Sequence, residues 1–443
     1  MPYKFLISST SSGSGKTSIT IALISALKKL SYKVYPFKVG PDFIDPGYLT
    51  IASGNITKNL DSWMLSKDYN HNLFYSIFSD EKTFGVVEGV MGLFDGFSGT
   101  SDDGSTSQIA KWLNIPVILI IDAKSMARSV AAVINGFLNF DKSLKIKGII
   151  LNKVGSLKHL KYLKDAIEKY CNVELLGYFL KDDFPELSSR HLGLITVEDN
   201  PEFKNKIDKF GEIALNRIDF DKLFNISYFE TPKIEKNLFK FPKRKKIKIG
   251  IAKDNAFCFY YWDNFKILEM YGAEISFFSP IKDSSIPQEC DILYFGGGYP
   301  ELYAKELSEN KSMIESIKKF FKSNKIIYAE CGGFIYLLNG VKIDGNYYEF
   351  VGIFNDTAIL DKKLRSLGYR EITLSKDCPF GKKGLKARGH EFHYSYLENN
   401  GKYLNPVYEN SLGYIEKNTI GSYVHIHFGS NLKFAENLIS SAI

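Results

Sequence analysis

The chain has 443 residues, about three times the usual size of one domain, so two or three hydrophobic cores are expected. Hydrophobic residues make up 44% and charged residues 24%, which excludes a disordered chain. The 57 Lys and Arg against 50 Asp and Glu leave +7, spread along the sequence. That balance suits anionic small molecules and lacks the concentrated patch of a nucleic-acid binder.

Cys171, Cys258, Cys290, Cys331 and Cys378 stand far apart with no CxxC pair. Neither a zinc cage nor a disulfide framework follows, and a reducing cytosol is the expected compartment. The N-terminus turns polar within eight residues, so no signal peptide is expected, and no apolar run reaches the ~18 residues of a membrane span. The reading is a cytoplasmic protein with neither a membrane nor a nucleic acid as partner.

In chain order, Tyr3 to Ile7 reads as a strand and Thr17 to Leu30 as an amphipathic helix. Further strands are expected at Tyr32 to Phe37, Phe84 to Val87, Pro116 to Ile121 and Lys147 to Leu151. The last three are continuous and β-branched, as in a parallel sheet covered on both faces. Alternation of this kind predicts a doubly wound α/β layer over residues 1–230. Residues 231–246, TPKIEKNLFKFPKRKK, carry two prolines and a basic run and read as a linker. A second α/β domain, 247–443, opens at Ile247 to Ile251 and continues at Glu274 to Phe278, Asp291 to Phe295 and Ile326 to Ala329. Its tail from Glu391 to Phe428 is rich in Tyr and short β-like runs.

The first strand runs into Ser8-Ser9-Thr10-Ser11-Ser12-Gly13-Ser14-Gly15-Lys16-Thr17 ahead of the helix. Glycines there turn backbone N–H groups toward phosphate oxygens, Lys16 reaches the β/γ-phosphates, and the Thr17 hydroxyl is a Mg²⁺ ligand. Thr10 stands where a GxxxxGK[ST] pattern has its first glycine. Carboxylates follow the next strands, Asp42 and Asp45 in KVGPDFIDPGY and Glu88 and Asp95 in VEGVMGLFDG, at the edge where open α/β sheets bind ligands.

In the second half, the apolar run Ile326 to Ala329 ends at Glu330-Cys331-Gly332-Gly333, with a helix expected from Phe334. A nucleophile on such a turn is held exposed, and the helix N-terminus in principle lowers its thiol pKa. Gly296-Gly297-Gly298 end another strand and offer oxyanion-hole N–H groups, and His425 or His427 offers a general base. Gly389-His390-Glu391-Phe392-His393 lacks the HExxH zinc spacing. Ser189-Arg190-His191-Leu192-Gly193 could bind an anionic substrate or be a surface turn.

With TSSGSGKT, FKVGPDFIDPGY, NLDSWM, VEGVMGLFDG, DAKSMARSVAA, ILNKVGS, RHLGL, FGGGYPEL, AECGGF, GHEFHYS and SYVHIHF in this order, the chain resembles the cobyrinate a,c-diamide synthase family over nearly its whole length. Its N-terminal half is similar to dethiobiotin synthetase, whose loop also lacks the first glycine. Its C-terminal half resembles class I glutamine amidotransferases of the cobyric-acid type. The resemblance implies ATP, Mg²⁺, glutamine and cobyrinic acid or a related tetrapyrrole as ligands, with a homodimer entertained as the assembly.

It implies Thr10, Gly13, Gly15, Lys16, Thr17, Lys38 and Asn152 at the nucleotide, and Thr17, Asp42, Asp45, Glu88 and Asp95 at the metal. Cys331 is the implied nucleophile and His425 its base. Gly297, Gly298, Gly332 and Arg190 serve the oxyanion and substrate. The implied course is an acyl phosphate made with ATP and then ammonia, released from glutamine and passed between domains, at the c and a acetates. His427 stands where other class I enzymes carry Glu, so the third triad member is unassigned. Ni-sirohydrochlorin, which carries acetates at the same positions, fits the same motifs. A ParA/MinD-like ATPase switch is a rival of another class, but Ser11 occupies its signature-lysine position and it leaves Cys331 without a use.

Overall fold

The computed structural model describes residues 2–78, 82–184, 196, 197, 199, 200, 202–230 and 246–442. The Ser189–Gly193 motif with Arg190, and the expected linker apart from Lys246, lie outside the described residues. The chain divides into two compact units, Met1–Leu238 and Phe239–Ile443.

In the first unit seven strands form one sheet: β1 Tyr3–Ser9, β2 Lys33–Val39, β3 Lys58–Leu60, β4 Thr83–Glu88, β5 Val117–Asp122, β6 Ile146–Val154 and β7 Glu174–Leu180. Their order is β3-β2-β4-β1-β5-β6-β7 and every pairing is parallel. Strands at its centre are buried on both faces, as their unbroken apolar runs predict. The chain leaves β1 toward β2 on one side and returns past it to β5 on the other. The carboxyl end of β1 is therefore the switch point where such sheets bind ligands.

Helix Lys16–Lys29 starts there, with ten buried residues that include Ile19, Leu23 and Leu27. Each fully buried Leu or Ile contributes about 1.5–3 kcal/mol relative to an exposed one, which anchors the helix and the loop before it. Gly211 of helix Phe203–Arg217 lies against Ser25 of this helix, where an added methyl would meet the Ser25 hydroxyl at 2.5 Å.

The second unit continues with β8 Ile247–Ala252, β9 Ala273–Phe278, β10 Ile292–Phe295, β11 Ile326–Glu330, β12 Leu338–Ile343, β13 Asn346–Glu349, β14 Phe354–Leu360, β15 Ser366–Thr373, β16 Lys386–His393, β17 Ser395–Leu397, β18 Gly413–Glu416, β19 Thr419–Ser422 and β20 His425–Ile426. Its main sheet has the order β18-β19-β11-β10-β8-β9, parallel except for the β18–β19 hairpin. Two smaller sheets, β13-β12-β14-β17 and β15-β16-β20, come from the Tyr-rich second half of this unit. The β20 segment has two residues and pairs antiparallel with β16, which brings His425 opposite His390. Among the described residues no helix is long and apolar enough to cross a membrane.

Candidate active sites

The loop after β1 turns on Gly13 and Gly15, at φ 76° and 87°. Gly15 has a second constraint: a methyl there would sit 2.3 Å from Asn152 Nδ2, which donates to Ser14 O at 2.8 Å. Asn152, at the carboxyl end of β6, thus shapes the loop. Thr10 is not in the left-handed region, so its backbone does not require the glycine of the common pattern.

Lys16 Nζ donates to Ser9 Oγ at 2.9 Å, Ser11 O at 3.4 Å and Met91 O at 2.6 Å. Burial, then the neighbouring Lys38 ammonium, lowers its pKa to about 8. A phosphate arriving beside it would reverse that shift by restoring a counter-charge.

Lys38 is buried at the centre of the carboxylates. Its ammonium donates to Asp45 Oδ2 at 2.5 Å and Glu88 Oε1 at 2.6 Å, with Asp42 Oδ2 3.5 Å away. Burial works against its charge, but the three carboxylates override it and raise its pKa well above the usual lysine value. Burial and the Asp45 charge push the Asp42 carboxyl up, whereas Asp45, despite its burial, is held low by Lys38.

Glu88 Oε1 also accepts from Thr17 Oγ1 at 3.0 Å, and its Oε2 is buried with no hydrogen bond. Hard oxygen donors with an unused buried carboxylate oxygen suit Mg²⁺. Asp95 is spent differently. Its Oδ2 accepts from Gly92 N at 2.9 Å, and Leu93 N donates to Ser9 O at 2.9 Å, tying the loop after β4 to the phosphate loop. Among the described residues no three His, Cys, Asp or Glu form a ready metal cage; Lys38 fills the space between Asp42, Asp45 and Glu88.

Cys331 follows β11 at φ 47°, ψ −104°, left-handed backbone that costs a residue with a Cβ about 1–3 kcal/mol. The turn is fixed from both sides: Cys331 N donates to Ser422 O at 2.7 Å, and Gly333 N to Gly296 O at 2.9 Å. Sγ lies 3.9 Å from Phe392 O. The thiol does not follow the helix-terminus expectation. Helix Gly332–Leu337 is six residues long, and burial, then the Glu301 carboxylate, drives the thiol pKa far up. Desolvation of the thiolate outweighs a short helix's dipole.

His425 is fully buried, and that burial, then the His393 ring, lowers its pKa to about 3. It is therefore a neutral imidazole, and the same burial makes it a weaker base than an exposed histidine. The glycine loop joins the two residues. A methyl on Gly297 would meet His425 Cε1 at 2.2 Å, and one on Gly332 would meet Pro300 Cδ at 2.8 Å and Gly298 backbone atoms at 3.0 Å.

Sequence reasoning left one neighbour unassigned. Glu330 Oε2 is 4.0 Å from His425 Nδ1 and accepts from Tyr294 Oη at 2.8 Å. Its Oε1 accepts from Ile426 N at 2.9 Å and from Tyr328 Oη. Burial raises its pKa to about 7. A carboxylate ending the apolar run IIYA was the available signal.

The comparisons with known proteins fall on these two sites. The profile of the CobQ/CobB/MinD/ParA nucleotide binding domain matches residues 5–195, which hold the phosphate loop, Lys38 and Glu88. That of the CobB/CobQ-like glutamine amidotransferase domain matches 248–433, which hold Cys331, His425 and Glu330. Along the whole chain, the cobyrinate a,c-diamide synthase of Caldanaerobacter subterraneus is 43% identical, covering 96% of this chain and 94% of its own. That of Picrophilus torridus is 42% identical over 98% of both chains. The chain belongs to the cobyrinate a,c-diamide synthase family. The protein of that name from Methanocaldococcus jannaschii is 41% identical over 99% of this chain and 98% of its own, so family membership spans both units.

Proposed function

We propose that the protein amidates the a and c acetate carboxylates of cobyrinic acid, using ATP and glutamine. The reading is carried by one pairing: a phosphate loop with Lys16 and Thr17, and a strained Cys331 elbow and a neutral histidine set against the same glycine loop, in a chain 43% identical to a cobyrinate a,c-diamide synthase.

A carboxylate is a poor acyl donor because it would have to expel oxide. Its oxygen attacks the γ-phosphorus of ATP, releasing ADP and leaving an acyl phosphate. Lys16, freed from Met91 O and Ser9, neutralises charge on the transferring group, and the loop N–H groups hold it in line. Thr17 and Glu88, with Asp42 and Asp45 beside them, would hold Mg²⁺, which supplies further neutralisation of the phosphate charge. Lys38 keeps the three carboxylates together until then, and beside Lys16 it presents positive charge to an anionic macrocycle.

In the second unit, Cys331 Sγ attacks the amide carbon of glutamine as its proton passes to His425. The imidazolium returns that proton to the departing nitrogen, giving ammonia and a thioester, which water hydrolyses to glutamate. Glu330 steadies the imidazolium through the position it holds behind Nδ1. Gly297, Gly298 and Gly332 supply the glycine-lined ground for the oxyanion. Ammonia then adds to the acyl phosphate, phosphate leaves, and the amide remains. Two rounds use two ATP and two glutamine.

The experiment offers purified protein cobyrinic acid and Ni-sirohydrochlorin separately, with ATP, Mg²⁺ and glutamine. Each carboxylate-to-amide exchange lowers the mass by about one unit, as acyl transfer to ammonia requires. Two such steps on cobyrinic acid are expected. Two steps on the nickel compound alone would reassign the substrate. ATP hydrolysis with no mass change on either would overturn the amidation.

A further inference from the structure

Two polar side-chain atoms at the second site make no hydrogen bond in the protein. Glu301 Oε2 and Tyr299 Oη are both shut off from solvent and make no hydrogen bond. Buried donors and acceptors without partners are costly, the more so when charged, so their persistence asks for a ligand. Burial raises the Glu301 pKa to about 7, and no Lys, Arg or His among the described residues offsets its charge.

Their place is set by the glycine loop. Tyr299 and Glu301 flank Pro300, whose ring touches Gly332, the residue after Cys331. The Tyr299 ring is held edge-on against Phe259, with centroids 5.1 Å apart, so its hydroxyl is fixed. After burial, the Glu301 carboxylate is the leading influence on the Cys331 thiol, and it acts on Tyr423 as well. Both unpaired groups thus face the neighbourhood in which glutamine must lie for its amide carbon to reach Sγ.

Glutamine carries one cation, its α-ammonium. Binding it beside a carboxylate whose Oε2 is shut off from water supplies the counter-charge that the protein does not. The amide end of the substrate is neutral and is met by backbone N–H groups.

We propose that Glu301, assisted by the Tyr299 hydroxyl, receives the α-ammonium group of glutamine and thereby selects glutamine over amides that lack it. The proposal rests on Cys331 as the glutamine nucleophile. It makes Glu301 a specificity residue, with no part in the proton transfers.

The test uses the full chain and two reagents for the same thiol. The diazo-ketone analogue of glutamine, 6-diazo-5-oxo-L-norleucine, carries the α-ammonium; iodoacetamide does not. Labelling of wild-type Cys331 by the analogue establishes the underlying reading. In Glu301→Gln the analogue should react about ten- to a hundredfold more slowly, the loss of one charge-assisted contact, while iodoacetamide reacts at least as fast as in the wild type, because removing the carboxylate charge eases thiolate formation. The preference for glutamine over 4-carbamoylbutanoate, which lacks the amine, should shrink by the same factor. Tyr299→Phe should move both readouts the same way by a smaller factor. An unchanged preference in Glu301→Gln, or equal slowing of both reagents, would overturn the proposal. Absence of analogue labelling in the wild type would overturn the nucleophile assignment itself.

Discussion

Around Lys38 three carboxylates converge on one ammonium within 3.5 Å, whereas around Cys331 burial works against charge on every group, raising the thiol and the two carboxyls and lowering the imidazole. Both arrangements sit at carboxyl ends of parallel strands, after β1, β2 and β4 in one unit and after β10 and β11 in the other. The difference follows the ligands. Phosphate and divalent cation exchange for charges already present, so the first site stores paired ions. An amide is neutral and its hydrolysis needs a proton acceptor, so the second site stores a neutral histidine in a dry setting. Family resemblance alone does not reveal this contrast; it comes from which side chains have partners.

The largest expected effect isolates the charged site. Lys16→Ala should lower amidation at least about a thousandfold with either glutamine or ammonium chloride as nitrogen source, because acyl-phosphate formation precedes both. Loss with glutamine alone, in a product assay by mass spectrometry, would show that Lys16 does not serve phosphoryl transfer.

A smaller effect isolates the neutral site. Gly297→Ala would push a methyl to 2.2 Å from His425 Cε1, so the ring must move. A displacement of that size should cost about a hundredfold in glutamine-dependent turnover and leave ammonium-dependent turnover unchanged. Equal loss with both nitrogen sources would contradict the separation of the two sites.

The smallest effect is on stability. Glu301 has a folded pKa of about 7 against an ordinary value of 4.5, so the folded state binds its proton more tightly than the unfolded state does. Stability is therefore lost as pH rises from about 4.5 to 7, with no contribution below that window and the full loss above it. Glu301→Gln should match the wild type at pH 4.5 and unfold at a temperature a few degrees higher at pH 8, by calorimetry without glutamine. The reverse order at pH 8 would mean the carboxylate has a cationic partner.

The phosphate loop was legible in the sequence because it is local: Gly13, Gly15 and Lys16 act through backbone geometry and one helix end. Cys331 was legible for the same reason, since Gly332 and Gly333 complete its turn. The strands near the first site also followed from their apolar runs, with shifts of one or two residues, as at β2 and β5. What stayed hidden depends on long-range pairing. Glu330 meets His425 because β19 pairs with β11, Ser422 beside Glu330, and the chain then runs straight on into the two-residue β20. Strands β12 to β17 have mixed burial, which blurs a periodic signal. The thiol's direction of shift needed burial, which no spacing reports. Lys38, read as a ligand contact, is also the internal counter-ion of the carboxylates, and that required knowing that β2 and β4 lie side by side.

The most direct test of the two-site account is the nitrogen source used by Cys331→Ala. Cobyrinic acid, ATP and Mg²⁺ would be supplied with either ¹⁵N-amide glutamine or ¹⁵N-ammonium, and the product weighed. The account predicts no labelled amide from glutamine and wild-type amounts from ammonium. Labelled amide from glutamine at the wild-type rate would contradict it.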